Sequence, residues 1–68
     1  MTYDFTKKEL EFIIENANFN NRQSEIFNRL TDKSGRQKIV KIALEMGMSE
    51  RTVNREIKKI KHKIYKIL

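Results

Sequence analysis

The sequence predicts an all-α fold, four helices and no sheet, in one small domain. Three observations carry this. The 68-residue chain has no proline, and its only glycines are Gly35 and Gly47. Good helix formers dominate, and the β-branched residues fall at helical spacing. Capping residues stand ahead of the periodic apolar segments. The helices are predicted over residues 6–18, 21–33, 36–46 and 50–67, and residues 1–68 are read as a single domain.

The first helix starts at Thr6, with Glu9 three residues later as its capping-box partner. Phe5 before the cap and Leu10 after it form the matching hydrophobic staple. Leu10, Ile13, Ile14 and Ala17 are expected on one face. The asparagines at 16, 18, 20 and 21 compete with the backbone for hydrogen bonds and close the helix near Asn18. Asn20 or Asn21 caps the second helix, whose apolar face is Ile26, Phe27 and Leu30. Ser34-Gly35 ends it, with Gly35 suited to a left-handed C-cap. The third helix carries Ile39, Val40, Ile42, Ala43, Leu44 and Met46, and Gly47 follows at once. Ser49 is the N-cap of the fourth helix. That helix spans about 27 Å at 1.5 Å per residue. Its stripe is Val53, Ile57, Ile60, Ile64 and Ile67, at steps of four and three. Phe5, Phe12, Phe19 and Phe27 are expected in the core, and Tyr65 at an interface or packed on the domain.

Composition excludes several function classes. With no cysteine, disulfides, thiolate metal sites and cysteine nucleophiles are out, and the single histidine, His62, makes no His-rich metal site. No apolar run approaches the roughly 18–20 residues of a membrane span. The first ten residues lack the apolar region of a secretory signal, so a cytoplasmic protein is expected. There is no Gly-rich phosphate loop, nucleophile elbow or metal-ligand cluster, and Glu9, Glu11, Glu15 and Glu25 have no visible partner base. No enzyme and no cofactor is expected.

Charge is more informative. The net charge is +6, from fifteen Lys and Arg against nine Asp and Glu. Residues 1–34 hold five basic and six acidic groups, whereas residues 35–68 hold ten basic and three acidic ones. A neutral half joined to a strongly basic half points to a polyanionic partner.

The segment Ile39 to Ile57, IVKIALEMGMSERTVNREI, has the spacing of a helix-turn-helix. Ala43 is small where two helices would cross, Gly47 supplies φ > 0 in the turn, and Val53 packs back between them. Ile42, Met46 and Met48 fill the rest of the wedge. An ordinary helical hairpin shares this logic; the Ser49 cap and the basic second helix favour the helix-turn-helix.

Residues 20–68 resemble the DNA-binding domains of LuxR-type regulators and region four of bacterial sigma factors. The resemblance lies in Arg22-Gln23-Ser24-Glu25-Ile26, the Ile42-Ala43 pair, the string Gly47-Met48-Ser49-Glu50-Arg51-Thr52-Val53, and Ile60 with Lys63. The chain departs from that pattern after Lys63, in the connection from Thr31 to Arg36, and in the helix over 6–18. The resemblance implies a three- or four-helix fold in which the helix 50–67 enters the major groove of double-stranded DNA.

With Val53, Ile57, Ile60 and Ile64 inward, Arg51, Arg55, Lys58, Lys59, His62 and Lys66 point outward at about 100° per residue. Arg51, Asn54 and Arg55 are expected to read bases, since Arg suits guanine and Asn suits adenine. Thr52, Lys58 and Lys59 are expected at phosphates, with Arg36, Lys38 and Lys41 holding the backbone elsewhere. Glu50 in the first turn serves the helix dipole, with cytosine N4 as the alternative. A solvated face accounts for Lys61, Lys63 and Lys66 as well as DNA contact does, and His62 is read as a surface residue.

The predicted function is therefore sequence-specific binding of double-stranded DNA, as a transcriptional regulator and possible homodimer, with any signal arriving through a regulatory protein partner and no membrane involved. Two alternatives remain: a protein-interaction module whose seam is Ile57, Ile60, Ile64 and Ile67, and a basic amphipathic helix lying on an anionic membrane.

Overall fold

The structure, a computed structural model, describes residues 5–32 and 38–68. Four helices make up the fold: α1 (Lys7–Asn16), α2 (Asn21–Thr31), α3 (Ile39–Met46) and α4 (Glu50–Ile67). No strand occurs among the described residues. α4 is the axis of the fold, and each of the other three helices packs against it.

Local chemistry accounts for the helix ends. Thr6 and Glu9 form the expected capping box: the Glu9 N–H donates to Thr6 Oγ1 at 3.2 Å, and the Thr6 N–H to Glu9 Oε1 at 2.8 Å. α1 stops two residues short of the predicted end. The Asn16 side chain donates to the Phe12 carbonyl at 2.8 Å, and Asn18 takes a left-handed φ of 57°, which asparagine tolerates better than most residues. Asn20, not Asn21, caps α2, and Gln23 completes a second capping box that the sequence reading missed. α2 ends at Thr31, whose hydroxyl donates to the Phe27 carbonyl at 2.8 Å, and Asp32 is already extended.

Lys38 is extended, so the first helical residue of α3 is Ile39, three residues after the predicted start. The predicted C-cap Gly35 and the predicted DNA contact Arg36 lie outside the described residues, as does Tyr3. α3 closes as expected on Gly47, at φ 65° and ψ 34°. The Met48 N–H donates to the Ala43 carbonyl at 2.8 Å and the Gly47 N–H to Leu44 at 3.4 Å. That pair of bonds is the Schellman pattern, which a left-handed residue makes possible. Ser49 then caps α4, accepting from the Thr52 N–H at 3.1 Å.

The core joins Ile13 and Ala17 of α1 and its C-cap, Ile26, Phe27 and Leu30 of α2, Ile42 and Ala43 of α3, and Val53, Ile57, Ile60 and Ile64 of α4. Phe5, Leu10, Phe19, Ile39, Met46, Met48 and Ile67 pack at its edge. The Phe27 ring is tilted against Phe19 at 5.2 Å and Phe5 at 6.1 Å between centroids, within the favourable distance range for aromatic pairs. Arg29 of α2 ties to Glu45 of α3, and to Glu25 of its own helix at 3.2 Å. Hydrogen bonds that Arg29 donates to Glu25 and to Glu45 raise its pKa above its already high ordinary value, so this link stays charged at any working pH.

Four expected core residues are outside. Ile14 is 48% and Phe12 45% exposed, and Val40 and Leu44 are 60% and 81% exposed. Each sits on a short helix that packs against one side only, beside a buried residue or, for Val40, beside the half-buried Ile39. Such a helix buries a single stripe, here Ile13 with Ala17 and Ile42 with Ala43, and its remaining apolar residues face solvent. Tyr65 is exposed as well.

Candidate nucleic-acid interface

α4 has two faces of opposite character. Val53, Ile57, Ile60 and Ile64 are buried, and Ile67 is half-buried against them. Arg51, Asn54, Arg55, Lys58, Lys59, His62 and Lys66 are exposed. Because side chains advance about 100° per residue, burying one stripe turns these residues outward together. The aliphatic stripe itself lies in this chain's own core. It is therefore not presented as a seam to a protein partner or as a face to a membrane. Among the described residues, no helix is long and apolar enough to cross a membrane.

Arg51, Asn54, Arg55 and Lys58 line one open depression. The structure thus brings both candidate base-reading arginines beside the candidate asparagine. Lys58 and Lys59 also line a second depression with His62, Lys63 and Lys66. Thr52 is half-buried, and its hydroxyl lies 2.8 Å from Ser49 Oγ. That contact ties the Thr52 side chain to the helix start. Lys38 and Lys41 are exposed at the start of α3 and line neither depression. No three or more histidine, aspartate or glutamate side chains among the described residues are grouped to hold a metal ion.

What orients this face is a polar cluster on the other side of α4. Gln23 of α2 is 3% and Glu56 of α4 8% exposed. Gln23 Nε2 donates to Glu56 Oε2 at 3.3 Å. Gln23 Oε1 accepts from the Asn20 N–H at 3.2 Å and from Lys63 Nζ at 2.6 Å. Lys63 Nζ also donates to the Asn18 carbonyl at 2.8 Å, just past the end of α1. One buried amide therefore joins the α1–α2 connection, the start of α2 and two turns of α4. Buried polar groups with partners of this kind fix a register that apolar packing alone leaves free to slide.

The sequence reading missed this cluster and left Lys63 between a solvated face and DNA contact. Its ammonium is instead held by Asn18 and Gln23. Asn20 followed three residues later by Gln23 is a capping-box pattern, so half of the Gln23 role had a signal in the sequence. Nothing local marked Glu56 or Lys63, because both partners come from distant segments. The cluster also has an electrostatic effect. Glu56 is drawn to the buried side, with Lys59 Nζ 4.0 Å from it, and Glu50 is left as the exposed acid of α4.

No protein-family model matches this chain, and no curated protein or solved structure matches it.

Proposed function

We propose that this chain binds double-stranded DNA sequence-specifically, as a transcriptional regulator, with α3, the Gly47 turn and α4 working as a helix-turn-helix and α4 in the major groove. One observation carries the reading. The outward face of α4 gathers Arg51, Asn54, Arg55, Lys58 and Lys59 on a single helix, and of the two acids of that helix Glu56 is buried while Glu50 stays exposed in the first turn. Arg and Asn are the side chains suited to purine edges, and lysines to phosphates. Exposed Lys38 and Lys41 add positive charge at the start of α3, and a helix N-terminus favours a phosphate. The reading assigns no catalysis and no cofactor, and it puts the protein in the cytoplasm. A single domain of this size reads few base pairs, so two copies on a two-fold site fit it best. A signal would reach it through a regulatory protein partner.

Fluorescence anisotropy of the full chain with a labelled duplex, titrated at two salt concentrations, tests the proposal. If about six phosphates are neutralised, log K falls against log salt with a slope near −5. Binding that ignores salt, or no duplex binding at low salt, refutes it.

A further inference from the structure

The cationic face of α4 does not stop where the base-reading residues stop. From Ile57 to Leu68 the chain has no Asp or Glu and five lysines. Lys59, His62 and Lys66 are exposed and border one depression together with Lys58 and the half-buried Lys63. We propose that this C-terminal half is a second phosphate-contacting segment, through Lys59, His62 and Lys66, so that α4 lies lengthwise along the duplex and does not enter it by its tip. The proposal rests on the DNA reading above and extends its interface.

The dimensions decide between the two poses. Arg51 and Lys66 are fifteen residues apart, about 22 Å along the helix. The major groove is about 12 Å wide, which a helix crosses in roughly eight residues. A helix entering tip-first with Arg51 at the bases meets the far phosphate ridge near Lys58 and Lys59. His62 and Lys66 then stand outside the groove with nothing to bind. A helix lying along the groove runs beside about six base pairs, one phosphate per strand every 3.4 Å or so, and all four turns of its outward face meet phosphates. The helix dipole explains a cation in the last turn, such as Lys66, but it fades before Lys59 and His62 are reached.

Lys63 supplies a control within the same turn. It carries the same charge as Lys66, but its ammonium is bound to Asn18 and Gln23. Removing either lysine changes the net charge equally, yet only Lys66 is free to reach a phosphate.

The experiment compares salt slopes of the full chain on a random-sequence duplex for the wild type, K59A/K66A, K63M and R51A/R55A, with helicity checked by circular dichroism. The slope of K59A/K66A is expected to be about 1.8 less negative than that of the wild type, close to 0.9 per contact. K63M is expected to keep the wild-type slope while melting earlier. A slope change in K59A/K66A of no more than about 0.9, the share of Lys59 alone, alongside weakened duplex binding in R51A/R55A overturns the lengthwise pose and leaves DNA binding standing. A slope that falls equally in K63M and K59A/K66A per charge removed also overturns it, because net charge and not contact is then being read. Absent duplex binding by the wild type overturns both proposals. Lys66 is exposed and Lys59 gives up only a 4.0 Å ion pair with Glu56, whose bond from Gln23 remains, so the fold survives both replacements and the slope comparison decides even if K63M unfolds.

Discussion

Gln23→Ala is the substitution that most directly probes how α4 is held. It removes three hydrogen bonds: from the Asn20 N–H at 3.2 Å, to Glu56 at 3.3 Å and from Lys63 at 2.6 Å. The Gln23 backbone N–H keeps its bond to Asn20 Oδ1 at 2.8 Å, so the main cap survives. A neutral hydrogen bond contributes about 1 kcal/mol, and one to a charged partner about 1.5–3 kcal/mol. Lys63 retains Asn18 and some solvent, which offsets part of its loss. Glu56 does worse, since its side chain is only 11% exposed and it keeps only the longer contact with Lys59 Nζ at 4.0 Å. The expected cost is about 3 kcal/mol. A domain of this length has a total stability of about 3–10 kcal/mol, so a third or more is lost. At about 4–8 °C per kcal/mol, Tm falls by about 12–24 °C. Thermal and urea melts followed by far-UV circular dichroism measure this. A double-mutant cycle with Lys63→Met isolates the shared bond, with an expected coupling of about 1–2 kcal/mol. A cost below about 1 kcal/mol for Gln23→Ala, or additivity within about 0.5 kcal/mol, would refute the clamp.

Three further outcomes follow from particular positions. Gly47→Ala places a Cβ in open space but at φ 65°, so the cost is backbone strain alone, about 1–2 kcal/mol by urea midpoint. On the same helix, Ile42→Ala is expected to cost about 2–5 kcal/mol and Leu44→Ala less than about 0.5 kcal/mol in the same melts, because Ile42 is fully buried and Leu44 lies in solvent. Arg51→Ala with Arg55→Ala should leave Tm near wild type, weaken binding to a preferred duplex and flatten sequence preference in a site-selection assay.

Much of the fold could be read locally. The Thr6–Glu9 box, the Asn20 cap, the Gly47 stop and the Ser49 cap each satisfy orphan backbone groups within a few residues, and all four occur where the pattern put them. The long stripe on α4 was equally visible, because 18 residues leave no doubt about which face is apolar. Once that face is inward, the exposure of Arg51, Asn54, Arg55, Lys58 and Lys59 follows from helix geometry. The short helices were harder. α1 and α3 offer apolar residues on more than one side, and nothing local says that Ile13 and not Ile14, or Ile42 and not Leu44, faces α4.

Periodicity, caps and charge therefore settled the four-helix class, the approximate ends of each helix and the outward basic face of α4. Tertiary structure alone decided which stripe of each short helix is buried, and it decided the fate of individual charges. Lys63 and Lys66 are indistinguishable as lysines on one helix, yet one ammonium reaches Asn18 and Gln23 from 45 and 40 residues away, while the other is left to solvent. Glu56 likewise becomes a buried partner of Gln23 across 33 residues. Capping and amphipathicity act over one or two turns and are written in adjacent residues. A contact between distant segments exists only after the chain has packed, when the position of one helix determines what the next side chain meets.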